Sequence, residues 1–450
     1  MKNKKIVRNI SIDRFRGLLI FSMIFFQLLE HFKKLGVFAT ISLHAPDSFI
    51  KTADQIANGF KGIFILPNLT LADLIAPAFI FTIGLTIVGS YNRKWKEYGK
   101  KEALLMMLER YLIFIGIGIM MTSINVLIDG ELNNGFFDLV DIPIFALTIS
   151  VLVLGLLRLI FKKKDFSKVL SKIMKWIVIF LGTCGIVITF INTLFVILGI
   201  SEVNFGYWLV LQHIGLAGIV ALLVMALSKD NRTSYRLIMG VLILLLFTIF
   251  HETTLPTLHN YKNVLNNMNV VDNTADGGFI GGVAYGGLLL IFTAIADIYN
   301  KDKRKFRIIS LLLIIPTIIV ILYATSTFKA WDGTNSIFTA GLSKHLSINK
   351  GSISPSYLMI CLFASSFAFM IVDLFSNCKL KFDFLSIWGR NPIIMYILEF
   401  TIVGGITAAL GTNLIDDAPL YIAIPEIVII TSLLTFIAYR LYKKDKIIKI

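Results

Sequence analysis

Apolar positions along this chain fall in unbroken runs rather than in stripes. A stripe recurring every three or four residues would mark helices around a soluble core. A run of about 20 matches instead a bilayer core roughly 30 Å thick. Twelve such runs lie near 14–32, 69–91, 103–127, 141–161, 174–199, 205–228, 234–254, 278–298, 306–327, 353–375, 388–410 and 419–441. They predict an all-α, polytopic bundle of about twelve membrane helices in a single integral-membrane domain spanning 1–450. The first run has a basic start but no small-residue cleavage site, and it ends on Gln27 to His31. It is therefore read as a retained helix rather than a signal peptide.

Composition strengthens this picture. Hydrophobic residues make up 56% of the chain, Phe alone numbers 36, and the mean hydropathy is +0.79. That excess excludes an ordinary soluble domain. The net charge of +15 could suggest nucleic acid, but its placement argues for topology and headgroup contact instead. Basic residues collect in Lys2–Arg14, Arg93–Lys101, Lys162–Lys175, Lys301–Arg307 and Arg440–Lys449, which alternate with loops holding far fewer Lys and Arg. This positive-inside pattern predicts both termini in the cytoplasm of a cell that places the protein in its plasma membrane. Cys184 and Cys361 fall inside runs and Cys378 on the inner side, so no disulfide framework is expected. There is no zinc spacing, Walker motif or GxSxG.

Candidate chemistry rests on polar residues in or beside the runs, because each is costly in hydrocarbon and marks a pathway, a site or a helix–helix bond. With the topology above they sort into two levels. Asp13, Arg16, Arg110, Arg390 and Asn391 lie toward the inner face. Gln27, His31, Asp73, Gln212, His213, His251, Glu252 and Glu426 lie toward the outer face, with Glu399 near mid-membrane. All six histidines, including His44, His259 and His345, fall on the outer side. Arginines at an inner mouth suit phosphate, and histidine with carboxylate at an outer mouth suits proton transfer. Simpler roles stand beside these. Asp13 with Arg16 suits a pair capping the first helix, Gln212 and His213 suit interhelical hydrogen bonds, and His31 suits an interfacial anchor.

Five stretches in order carry a family resemblance. SIDRFRGLLIFSMIFFQ (from Ser11) and LTLADLIAPAFIFTIGLTI (Leu69 to Ile87) come first. YWLVLQHIG (Tyr207 to Gly215), DGGFIGGV (Asp276 to Val283) and WGRNPIIMYIL (Trp388 to Leu398) follow. Together they resemble the heparan-α-glucosaminide N-acetyltransferase family and its bacterial relatives, within the transmembrane acyltransferase superfamily. Asp13, Arg16 and Gly17 match its S-x-D-x-x-R-G motif, Asp73 and Pro77 its L-T-x-A-D-L-x-x-P motif, and Asn391 and Tyr396 its G-x-N-x-I-x-x-Y helix. The family's histidine, in H-A-x-W-N-G directly before L-T-x-A-D, has no counterpart in GIFILPNLTLAD. His44, followed by Ala45 and Pro46, is the nearest match upstream. Set against the family's usual span number, runs 141–199 read as an inserted helix pair.

The resemblance implies acetyl transfer from cytoplasmic acetyl-CoA to an amino or hydroxyl group of an extracytoplasmic glycan or glycolipid, with no metal. On that reading His44, then His31, is the base, and Asp73 orients it. Asp13, Arg16, Arg110, Arg390 and Asn391 hold the donor, and Gln27, Gln212, His213 and Glu399 line the acceptor side. The expected partners are the bilayer, the CoA thioester, the glycan acceptor and, for some assemblies, a second copy of the chain; nucleic acid is not one. Two other classes stay open: a transporter or flippase for a polar lipid or sugar, and an acyltransferase-like protein without turnover. Against the transporter, no self-similarity relates 1–225 to 226–450.

Overall fold

The computed structural model describes residues 9–30, 69–129, 138–160, 164–197, 210–228, 231–257, 278–329, 348, 350, 353–377, 383–410 and 420–444. Among these the chain is all-helical, with fourteen α-helices. They are α1 Ile10–Glu30, α2 Ile75–Tyr98, α3 Lys100–Asp129, α4 Asp138–Ile160, α5 Lys164–Ile197, α6 Val210–Leu227 and α7 Thr233–Thr257. Then come α8 Gly278–Lys301, α9 Lys303–Leu312, α10 Ile314–Lys329, α11 Pro355–Leu374, α12 Phe384–Gly389, α13 Pro392–Leu410 and α14 Leu420–Lys443. Short 3₁₀ turns at Ala72–Leu74 and Phe375–Asn377 precede α2 and follow α11.

Helix occupies each of the twelve apolar runs, and two runs are broken, at Leu313 between α9 and α10 and at Arg390–Asn391 between α12 and α13. Seven helical stretches among the described residues are long and apolar enough to cross a membrane: Ala72–Tyr98, Lys100–Ile124, Phe166–Ile191, Val210–Leu227, Gly278–Lys301, Lys303–Leu322 and Pro355–Leu374. Their outward faces are apolar too. On α7, Ile238, Leu245, Leu246 and Ile249 are exposed, as are Ile315, Ile319 and Leu322 on α10. Such contiguous apolar surface would be untenable in water. This is a membrane protein.

The chain forms two compact units, one comprising 1–85, 298–321 and 359–449, the other 86–297 and 322–358. In the first, α1 packs on α12, α13 and α14. The crossing with α12 is unusually close. A Cβ at Gly17 would collide with the Leu385 carbonyl and the Gly389 amide, and one at Gly389 with the Asp13 carbonyl and the Gly17 amide. Only hydrogen at both positions lets these backbones meet, the arrangement small residues provide where helices associate in lipid. Trp388 fills the space beside it, its indole N–H donating to Thr435 Oγ1 on α14 at 3.2 Å, with Phe21 and Phe384 rings against it.

In the second unit α3 is central, packing on α4, α5 and α6. Gly116 of α3 and Gly182 of α5 repeat the device, since a Cβ on either would strike the other helix's backbone. The pair α4–α5, read from sequence as inserted, thus lies against α3.

Candidate functional site

Polar groups of the first unit gather where α1 begins, α8 ends, α9 begins and α11 ends. Asn9 starts α1. Its Oδ1 accepts from the Ser11 amide at 3.0 Å, which satisfies one of the donors a helix start leaves without an intrahelical partner. Its Nδ2 donates to the Tyr299 hydroxyl at 3.2 Å. The side chain that caps this helix is therefore Asn9. Asp13 sits within the helix, buried.

Asp373, on the last turn of α11 and about 2% exposed, is the hub of this gathering. Its Oδ1 accepts from Ser11 Oγ, Tyr299 Oη and Lys303 Nζ, each at 2.8 Å. Arg307 Nη2 stands 3.5 Å from its Oδ2. A buried carboxylate is tolerable only with such partners, and here three separate chain segments supply them. Beneath the hub lies an aromatic floor. Phe369 meets Phe15, Tyr299 and Phe306 edge-on at 5.4, 5.0 and 5.8 Å between centroids, and Phe15 meets Phe81.

Arg14 makes a second tie. Its Nε donates to Asp383 Oδ2 at 2.7 Å and its Nη1 to the carbonyls of Phe375 and Ser376 at 2.8 and 3.1 Å. The guanidinium is buried and committed to the α11–α12 connection. Arg16, two residues on, is half-buried.

Of the residues picked out by sequence, the first unit brings Asp13, Arg16, Asp73, Arg390, Asn391 and Glu399 into one body. Asp73 is fully buried, and its Oδ2 reaches back to the Thr70 amide and hydroxyl at 2.9 and 3.0 Å. That is the reciprocal bond of a capping box, and it fixes the entry to α2; the 3₁₀ turn carrying Asp73 touches α1. Asn391 is buried at the α12–α13 break. Arg390 lies over the Tyr442 ring at 4.9 Å and reaches its carbonyl at 3.5 Å. Glu399 is buried on α13, one turn beyond Tyr396. His31 and His44 lie outside the described residues, as do the side chains of Gln27, His251, Glu252 and Glu426.

Gln212, His213 and Arg110 belong to the second unit. Gln212 and His213 are buried on α6. Gln212 Nε2 donates to Thr122 Oγ1 at 3.4 Å, and its side chain occupies the space a Cβ at Gly118 would take, so the interhelical bond read from sequence is present. His213 meets Tyr285 edge-on at 5.8 Å, and the Tyr285 and Tyr357 hydroxyls are 3.4 Å apart. Arg110 is exposed and stacks over Phe114. A pair the sequence reading missed lies here as well: fully buried Arg236 on α7 bonds Asp297 near the end of α8, which Thr233 Oγ1 also contacts at 2.5 Å.

Asp373, Asp383 and Asp297 were all overlooked, as were Arg14 as a tie and Tyr299. One signal could have found the acids. Each sits where an apolar run meets a basic or polar stretch, beside cations it can pair with. Among the described residues no group of three His, Cys, Asp or Glu could hold a metal ion. No family model matches the chain, and no curated protein matches it.

Proposed function

We propose that this protein is a plasma-membrane acyltransferase with twelve crossings and both termini inside. It passes an acetyl group from cytoplasmic acetyl-CoA to an amino or hydroxyl group of an extracytoplasmic glycan or glycolipid. The observation that carries this reading is the meeting of distant motif segments. Gly17 of the first family-like stretch lies backbone to backbone with Gly389 of the last, and the turn bearing Asp73 touches the same helix α1. Residues that resemble one family's motifs, hundreds of positions apart, thus share one unit.

In the proposed reaction the acceptor nitrogen or oxygen attacks the thioester carbonyl carbon. The carbon–sulfur bond breaks, and a histidine, His44 before His31, takes the proton from the acceptor and passes it to the leaving sulfur, which departs as CoA thiol. Asp73 orients that histidine. Asp13, Arg16, Arg390 and Asn391 stand on the donor side, and Gln27 and Glu399 on the acceptor side. Gln212, His213 and Arg110 enter this scheme from the sequence pattern alone.

The test is transfer by the purified protein in nanodiscs, with radiolabelled acetyl-CoA and either glucosamine or cell-envelope glycan. Label appearing on the acceptor with release of free thiol is the expected result. Movement of a labelled sugar or lipid across proteoliposomes, with no thiol released, would overturn the reading in favour of a transporter.

A further inference from the structure

We infer that Lys303 and Arg307 form a phosphate clamp for the donor; this rests on the acetyl-CoA reading above. The two are one turn apart on α9, so they share a face, and both side chains remain open, 52% and 40% exposed. They share a single buried carboxylate, Asp373, which leaves the trio with one positive charge. Across 301–307 five bases stand against Asp302, so the local field stays positive even with Asp373 included.

Geometry favours these two over Arg14 and over Arg390 and Arg110, two of the arginines the sequence suggested beside Arg16. Arg14 spends its guanidinium on Asp383 and two carbonyls. Arg390 is stacked on Tyr442, and Arg110 on Phe114. Lys303 and Arg307 instead share one carboxylate, which orients both and leaves each with exposed donors to spare. Lys303 Nζ is held by Asp373 and by the Tyr299 ring, 5.1 Å from its centroid. Arg307 keeps its nearest carboxylate oxygen at 3.5 Å, and its shielded Nε finds no hydrogen-bond partner among the described residues. A compact ammonium beside a guanidinium with exposed nitrogens left over is what a phosphate or pyrophosphate group takes up. The clamp also joins the motif directly, since Ser11 of the opening stretch bonds the same Asp373 oxygen as Lys303.

The ligand chemistry is a phosphate ester, and on the charge pattern it reaches 301–307 from the cytoplasm. Both CoA and an anionic lipid headgroup carry that group; we assign the clamp to CoA. The experiment measures binding of CoA, dephospho-CoA and pantetheine to the full chain in nanodiscs of phosphatidylcholine alone or with phosphatidylglycerol. It compares the wild type with Lys303→Ala/Arg307→Ala and with Arg304→Ala/Lys305→Ala as a charge-matched control. The first variant is expected to lose CoA affinity about tenfold or more, with pantetheine binding unchanged and the control pair near wild type. Equal losses in both variants, or none in the first, would overturn the clamp while leaving the acetyl-CoA reading intact. A phosphatidylglycerol response lost only in the first variant, with CoA affinity unchanged, would reassign it to a headgroup. A wild type that binds no CoA removes the acetyl-CoA reading and this assignment together.

Discussion

Arg14 and Asp383 are 369 positions apart and joined at 2.7 Å. Arg16, two residues further along α1, is half-buried and carries the family-like motif. On the proposed reading these neighbouring arginines have different work. Arg14→Ala is expected to cost about 3 kcal/mol, the low end for breaking a buried pair, because the Asp383 side chain is 21% exposed. Thermal melting in detergent should fall while the folded fraction still binds CoA. Arg16→Ala should do the opposite, weakening CoA binding with little change in melting. If the two phenotypes are exchanged, the assignment of roles along α1 is wrong.

Gly17→Val should destabilise through overpacking against α12, by about 1–3 kcal/mol or more. Gly389→Val should do the same, and the double variant should be no milder, since each side chain strikes backbone that cannot yield. Fluorescence-detected gel filtration after heating reads this directly; near-wild-type survival of either variant would contradict the close crossing.

Arg236 and Asp297 test the second unit. Asp297→Ala strands a fully buried guanidinium, at a cost of about 3–5 kcal/mol. Arg236→Met with Asp297→Leu removes both charges and should recover most of that loss. A double variant as unstable as the single one would show that the pair is not the issue.

The topology is checked by single cysteines labelled from either side. Positions Lys164 and Lys303 should react from the cytoplasm, and Lys61 and Asn273 from outside. Labelling of 164 and 61 from one side would dismantle the two-level arrangement.

For the base, His44→Ala should lower turnover by roughly 10²–10⁴-fold, the range for a positioned acid–base group, with CoA binding kept. His31→Ala should cost less. Full activity in the first and none in the second would exchange their roles, and full activity in both would direct attention to His213 and Glu399.

Helices were the most legible part of the chain, because each apolar run is long enough to show itself without knowledge of its neighbours. Two breaks were not: Leu313 interrupts an unbroken Leu/Ile stretch, while Arg390–Asn391, polar and followed by Pro392, sits two residues inside the start of its run. Gly17 was noted for its place in the motif, and the backbone that lies against it proves to be that of α12. Asp373 stayed hidden for a different reason. Its importance comes from Ser11, Tyr299 and Lys303, which reach it from separate segments, and no local spacing in the sequence announces that meeting. Asp73 was noticed for its motif, yet its capping of Thr70 needed only the T-x-x-D pattern in Thr70–Asp73.

The bond from Ser11 to Asp373 spans 362 positions, and that separation has a temporal meaning. At roughly 5–20 residues per second, a ribosome needs on the order of 20–70 s after finishing α1 before its hydrogen-bond acceptor exists. Throughout that interval the polar edge of α1, with Ser11, Asp13 and Arg14, waits at the membrane without α11 or α12. The insertion machinery must shelter it or leave it at the headgroup level. A chain stopped before residue 373 would keep that edge uncovered indefinitely, a ready signal for membrane quality control.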